Sequence, residues 1–596
     1  MNNCFAILFS AFILIKAQED YIDITPYDYP KKNDDTFTVA ILSTNDIHGS
    51  YFSSHVTTPK NKKEYDLGGL EYVAKYINIL RKEWGENFLY LDGGDQFQGG
   101  FESKMTNGDI ITEYFKTIGV NYTTVGNHEW DYGPEYLNSR VSAANFTYLL
   151  SNVADDTGNC ELFEKQTTSK LVTIGPVKIA IIGLITLETE ETSSANLTGY
   201  HFLPYENAII KEANKYKGEA NAVLLLAHVG LKCPNDGTKK FELEMRTSKT
   251  KQEECNHSDE IYKLLKKLPK GVIDVVVAAH KHDVNHHWIF DTPVMSNENN
   301  GKFASVMYLN FDKNDNYKLI KENIIIESPL PICSKVFENT KRCETPTYDQ
   351  EDEHGEIKQF KFHDTIIEKD PMLSDLTNKY IEEYNKSLSD ILTATNEELR
   401  QQKTKEGALG NLYTDFFRFA TGADIGIETS GNFRTAWQPG NISYASLFNM
   451  FPFDNELVRF EVTGKEVRRM IWEIEEGTYS YYPISGLRVV IKENSITGKR
   501  KVISVKLFDG EIERDIEDDE ILSIATEDYL VPKKRGIKGG DDFGKVLKWM
   551  NIKNLKAYDD TRDMFKEYLR HLALIKSNDW LDEKNPRLRI IKTNDM

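Results

Sequence analysis

The 596-residue chain has no surplus of positive charge. Lysine and arginine number 73 against 93 aspartates and glutamates, a formal net charge of −20. That balance excludes a general nucleic-acid binder, whose footprint is basic. It also repels anions at long range, so a phosphate site here needs a local positive focus, which bound divalent metals would supply. Long apolar runs are missing too. One short run, residues 5–15, precedes Ala17 and reads as a secretory signal over residues 1–17, being too short for a membrane span. The polar residues 589–596 lack the apolar tail of a lipid-anchor signal. The expectation is a secreted or lumenal protein with no transmembrane segment.

Cysteine is scarce, at six. With Cys4 in the signal, an oxidising compartment would allow Cys233–Cys255 and Cys333–Cys343, leaving Cys160 over; five free thiols is the alternative. Asn-x-Ser/Thr sequons begin at Asn121, Asn145, Asn196, Asn256, Asn385 and Asn441, potential glycan sites in a secreted protein. Asn121 is expected close to the functional site, where burial would compete with a glycan. Internal repeats and low-complexity tracts are absent.

What is present is enough apolar material for two large domains: 40% hydrophobic and 11% aromatic residues. From residue 37 to 327, apolar strand-like runs alternate with helical patterns such as 69–84 and 259–268, the mark of layered α/β architecture. Residues 328–363 are charged and read as an interdomain insertion. Pro371 opens a helical pattern with Leu373, Leu376, Tyr380 and Tyr384 on one face, a candidate linker helix that takes this region to 390. A second α/β region covers 391–592, with a helix expected at 409–421 and strands at 487–491 and 502–507.

The informative pattern lies in the first region. Five apolar strands each run into a cluster of Asp, Asn or His: Asn45-Asp46-Ile47-His48, Asp92-Gly93-Gly94-Asp95, Gly126-Asn127-His128-Glu129, Ala227-His228, and Ala278-Ala279-His280-Lys281-His282. In open α/β sheets the strand carboxyl ends surround the binding crevice. Asp46 and His48, two residues apart on an extended chain, point to the same side and can chelate one ion. His280 and His282 share that spacing. Asp95 follows two glycines and can bridge two ions with its two oxygens. Asn127 adds a neutral oxygen and His228 an imidazole. This mixed O/N set suits two divalent ions such as Zn, Mn or Mg. A single strand-end His is more often structural; five clusters in order are not coincidence.

The ordered set, and above all Gly94-Asp95-Gln96-Phe97-Gln98-Gly99 and Gly126-Asn127-His128-Glu129-Trp130-Asp131, resembles the calcineurin-like metallophosphoesterases and more narrowly the secreted 5'-nucleotidase/apyrase family. The resemblance covers nearly the whole mature chain. It implies a four-layer sandwich domain joined by a linker helix to a second α/β, nucleotide-binding domain. It implies one ion held by Asp46, His48, Asp95 and His282, and another by Asp95, Asn127, His228 and His280. By the same resemblance His128, oriented by Asp131, contacts the phosphate in the transition state. In the second domain Arg434 matches a phosphate-contacting arginine, and Lys405 stands where the family often has another. Pro452-Phe453-Asp454-Asn455 matches a base-stacking segment, Tyr529 stands for the second stacking ring, and Gly539-Gly540-Asp541 matches a ribose contact. Thr429 replaces the usual Asn. Lys533, Lys534 and Arg535 form a basic stretch that either reaches a polyphosphate tail or is a solvated loop. The implied activity is hydrolysis of nucleoside 5'-phosphates. The alternatives are an apyrase, a 2',3'-cyclic phosphodiesterase, or a non-catalytic nucleotide-binding protein.

Overall fold

In the computed structural model, residues 21–593 are described apart from 27–28, 107, 194–196, 234–243, 251–253, 345, 347–349, 402–404, 478–480, 496, 510–511 and 532–549. The expected signal, Asp541 and the basic stretch Lys533–Arg535 therefore lie outside the described residues.

Two sheets pack face to face in the first domain. The larger contains β1 (Thr36–Thr44), β2 (Phe88–Asp92), β3 (Tyr122–Thr124), and, beyond the second sheet in sequence, β7 (Phe303–Asp312) and β8 (Ile325–Pro331). In it β1, β2 and β3 are parallel, and β7 lies antiparallel between β1 and β8. The second sheet is centred on parallel β4 (Val177–Ile185), β5 (Ala222–His228) and β6 (Val275–Val277). These strands are apolar on both faces because both faces are covered, and the period of two sorts them. Val39, Ile41, Leu89 and Leu91 meet Ile179, Ile181, Leu224, Leu226, Val275 and Val277 between the sheets. Ala40, Leu42, Phe88 and Tyr90 face the helices on one outer side, and Ile182, Leu184, Leu225 and Val276 those on the other. Three apolar interfaces thus separate four layers.

Helix α1 (Leu70–Trp84) shows how the outer layers form. Leu70, Val73, Ala74, Ile77, Leu80 and Trp84 recur at helical spacing and are buried. Gly85, at φ 61°, returns its N–H to the Arg81 carbonyl and ends the helix. Each such Leu or Ile side chain contributes about 1.5–3 kcal/mol by its burial.

Strand β8 runs through the expected boundary at 327/328. Ile332, Val336, Phe337, Phe360, Phe362 and Leu373 then join the same core as α1. The charged stretch is therefore packed onto the first domain through its sparse apolar residues, with Glu351 and His354 buried alongside them. Cys333–Cys343 and Cys233–Cys255 are disulfides, and Cys160 is buried and unpaired. Asn121 sits at the amino end of β3, away from the strand ends that carry the clusters. It is exposed, and its side-chain oxygen accepts the Tyr90 N–H at 2.8 Å.

Helix α2 (Pro371–Leu388) leads to the second domain. There α3 (Ala408–Thr421) packs on a five-stranded sheet that includes β9 (Ile425–Ile427), β10 (Glu456–Thr463) and β11 (Ile521–Glu527). The strands Leu487–Asn494 and Arg500–Phe508 form an adjoining sheet. The domains touch through the short helix Phe101–Met105. Phe101 packs among Tyr384, Tyr444 and Phe448, its N–H donates to Asn449 Oδ1 at 2.9 Å, and Lys104 pairs with Asp454.

Candidate metal centre and nucleotide site

The carboxyl ends of β1, β2 and β3 in one sheet and of β5 and β6 in the other meet at one place. Parallel register puts Thr44 beside Asp92 and Leu226 beside Val277, so the clusters leave their strands level with one another. The chain turns sharply as it does so. Asp46, His48, Asp95, His280 and His282 all have left-handed backbone, at φ 51°, 49°, 57°, 78° and 53°. Such conformations cost about 1–3 kcal/mol each for side chains other than glycine and gather at functional sites. Gly126 is required for space: a Cβ there would stand 2.2 Å from Asp95 Oδ1.

Ligand atoms of Asp46, His48, Asp95 and His282 lie within 4.8 Å of one another, as do those of Asp95, His228 and His280. In the first group the His48 Nδ1–H donates to the Gln98 carbonyl at 2.9 Å, leaving Nε2 to face His282 Nε2 at 3.0 Å. Asp46 Oδ2 accepts from Asn45 and from the His280 N–H, whereas Oδ1, 3.3 Å from His282 Nε2, is buried and accepts no hydrogen bond. In the second group the His228 Nδ1–H donates to the Gly93 carbonyl at 2.8 Å, and Nε2 lies 3.1 Å from both Asn127 Oδ1 and Asp95 Oδ2. Asp95 Oδ2 also lies 3.7 Å from His48 Nε2, so this carboxylate faces both groups.

The electrostatics favour positive charge among these atoms. Burial works against a charged His228, yet the Asp95 carboxylate overrides it and pushes its pKa up to about 10. Burial holds His48 well below, and His282 below, the usual histidine range, toward the neutral form that ligates metal. Burial would raise Asp95 and Asp46, but the surrounding histidines hold both below the usual carboxylate range. Neither carboxylate receives a hydrogen bond from a lysine or arginine among the described residues. A buried donor set of carboxylate, amide oxygen and imidazole, with an orphaned Asp46 oxygen turned inward, fits divalent cations of O/N preference.

His128 belongs to neither group. Its Nδ1 bonds Asp131 Oδ2 at 2.6 Å, and its backbone N–H donates to Asp95 Oδ1 at 2.9 Å. Burial opposes its protonation, but Asp131 and then Asp95 raise its pKa. Beside it stands the second domain. The Phe453 ring lies 6.0 Å from the His128 ring, and the Arg434 guanidinium sits 5.6 Å above Phe453. Arg434 forms no ion pair among the described residues; burial lowers its pKa, and Asp95, Asp46, Asp131 and Tyr529 act against that.

The remaining expected residues are less convergent. Tyr529 donates to Glu428 Oε1 at 3.2 Å. Asn455 is buried and gives its amide to Glu527 Oε2 at 2.6 Å, an acceptor shared with Asn432. Thr429, in place of the usual Asn, accepts the Gly431 N–H and caps a short turn. Lys405 is exposed and unpaired among the described residues. One residue with a large role escaped sequence reasoning. Glu129 is fully buried and accepts the backbone N–H groups of Asp95, Gln96, Phe97 and Gly126. Its place inside Gly-Asn-His-Glu was the only signal, and its partners are more than thirty residues away apart from Gly126.

Known proteins share this organisation. A family model for the calcineurin-like phosphoesterases matches residues 39–284, and one for the 5'-nucleotidase C-terminal domain matches residues 387–541. The chain is 25% identical over 503 residues to Silent protein UshA(0) of Salmonella typhimurium, covering 78% of this chain and 82% of that one. It is 22% identical over 578 residues to the NAD 5'-nucleotidase of Haemophilus influenzae, covering 89% and 90%. The solved 5'-nucleotidase precursor of Thermus thermophilus shares the fold at 19% identity and a TM-score of 0.70, over 93% of this chain and 99% of that one. With a phosphoesterase domain, a 5'-nucleotidase C-terminal domain and a metal-fitting cage between its strand ends, the chain belongs to the two-domain 5'-nucleotidases and is a metal-dependent phosphoester hydrolase.

Proposed function

We propose that this protein removes the phosphate from nucleoside 5'-phosphates with two divalent ions of the Zn, Mn or Mg type. Asp46, His48, Asp95 and His282 would hold one, and Asp95, Asn127, His228 and His280 the other. The observation that carries the reading is the meeting of domains: Arg434 and Phe453 stand beside His128 at the edge of the Asp/His cage. When bound, the ions would offset phosphoryl charge and activate a water.

The chain's own groups do the rest. Arg434 offers a planar fork of donors to phosphate oxygens. His128, held by Asp131, which favours its charged form, would aim Nε2–H at an oxygen whose negative charge grows during bond cleavage. Phe453 offers a ring face to the base, a contact tolerant of base identity. Tyr529 is the proposed second wall, and Lys405, Asn455 and Asp541 complete the proposed substrate set. For Asn455 the reading is an indirect one, since its amide is engaged by Glu527. Secretion and glycosylation belong to the same proposal. The two disulfides support them, and among the described residues no helix is long and apolar enough to cross a membrane.

The test is phosphate release from AMP, ADP, ATP and 2',3'-cyclic nucleotides with and without chelator. Chelator-resistant release, or no release from AMP under any divalent metal, would overturn the reading; a preference for ADP and ATP would move it to an apyrase. His128→Ala should keep its metal content and lose turnover by a hundredfold or more, within the range of positioned acid–base groups, ~100- to 10,000-fold.

A further inference from the structure

The histidines of the cage are not held alike. His48 and His228 each give Nδ1–H to a backbone carbonyl, of Gln98 and Gly93, and turn Nε2 inward. His280 is held the other way round. Its Nε2 bonds a side chain, Glu188 Oε2, at 2.9 Å, which leaves Nδ1 as its ligand nitrogen. Glu188 stands just beyond the end of β4, at the start of the short helix Thr189–Thr192, and its backbone N–H is fixed by Thr186 Oγ1 at 3.1 Å. The same carboxylate oxygen accepts the Lys281 ammonium at 2.8 Å. Lys281 reaches it because residue 230 is glycine: a Cβ there would lie 2.1 Å from Lys281 Cγ.

We infer that Glu188 is a positioning residue for the second metal ion, acting through His280. The inference rests on the two-ion reading above. A carboxylate on the far nitrogen of a ligating histidine fixes which nitrogen carries the proton, locks the ring's rotation and makes the near nitrogen a better donor. Here the lock has added work, because His280 carries the largest positive φ among the five left-handed candidate ligands. Lys281 holds the carboxylate in place and balances its charge. Glu260 lies close enough to Glu188 and His280 for the three to resemble a further cation site. That alternative is disfavoured, because Tyr205 and Thr186 hydroxyls already occupy the Glu260 oxygens and the Lys281 ammonium occupies Glu188. Sequence alone gave no sign of Glu188, which lies 92 residues from its partner.

The experiment titrates Co²⁺ into chelator-stripped full-length protein, following visible absorbance and metal stoichiometry. The variants are Glu188→Ala, Glu188→Gln and Lys281→Met. Wild type should take two ions; failure to do so would refute the two-ion reading rather than this inference. Glu188→Ala should weaken one ion about 10- to 100-fold and leave the other unchanged. Glu188→Gln, whose amide oxygen still accepts from Nε2–H, should recover part of that loss. Lys281→Met should cost less than Glu188→Ala. Wild-type affinity for both ions in Glu188→Ala, equal weakening of both ions, or a Lys281→Met effect as large as that of Glu188→Ala would each overturn it.

Discussion

Replacing Glu129 by Gln tests whether the two loops carrying Asp95 and Asn127 are tied together by one buried carboxylate. Oε2 accepts from Asp95 N and Gly126 N at 2.7 Å each, and Oε1 accepts from Gln96 N at 2.5 Å and Phe97 N at 3.2 Å. Burial and the Asp95 carboxylate push the Glu129 pKa up, while these donors pull toward the charged form. A glutamine keeps the shape but presents one NH₂. Whichever oxygen it replaces, two backbone donors lose their acceptor and face another donor. A buried donor left unmade costs about 1–3 kcal/mol, so the change should cost about 2–6 kcal/mol. At about 2.1 cal/mol/K of unfolding entropy per residue, a domain of ~300 residues loses roughly 1.6 °C per kcal/mol. At the middle of the range, about 4 kcal/mol, that predicts a fall of roughly 6 °C in the first-domain transition of the metal-free protein, read by calorimetry. Metal affinity should fall with it, since both loops carry proposed ligands. A variant that melts within 1 °C of wild type and binds metal normally would show that Glu129 does not tie the loops.

Three further outcomes are expected. Gly126→Ala should displace the Asp95 carboxylate, whose Oδ1 lies 2.2 Å from the new methyl, and measured metal content should drop in a protein that still folds. Arg434→Ala should lower kcat/KM for AMP roughly 10- to 100-fold, the value of a hydrogen bond to a charged group, with metal content unchanged; an unaltered kcat/KM would remove Arg434 from the site. Glu327 is fully buried with Oε1 unpartnered, and burial raises its pKa from 4.5 to about 7. The folded protein therefore holds this proton more tightly than the unfolded chain, and its relative stability is full below pH ~4.5 and lost as pH rises through 7. Glu327→Gln should then be more stable than wild type at pH 8, by up to about 3 kcal/mol, and show no gain at pH 4.5, read by denaturant melts at the two pH values.

The strand-end clusters were legible because an apolar run ending in Asp, Asn or His is a local pattern, and parallel sheets place such ends together. The helices α1, α2 and α3 and both disulfides were legible for the same reason of short range. The boundary at 327/328 was not. It falls inside β8, whose membership of the sheet depends on pairing with β7 rather than on a change in composition. Glu129 and Glu188 were missed because each acts on a residue distant in sequence, one through backbone N–H groups that no sequence displays. Asn455 shows the limit of a local motif: the motif points to a substrate contact, and nothing in it shows that the amide also donates to Glu527, 72 residues on.

The placement of Phe101 has a mechanical consequence. Gln98 anchors His48, Phe101 is seated in the second domain, and only Gly99 and Gly100 separate them. Gly99 passes too close to His48 to carry a side chain, since a Cβ there would lie 2.5 Å from the His48 carbonyl oxygen. Domain docking and the orientation of a cage imidazole are therefore connected in series through two residues. A displacement of Phe101 at the domain junction has a short covalent path, through Gly100 and Gly99, to the carbonyl that holds His48.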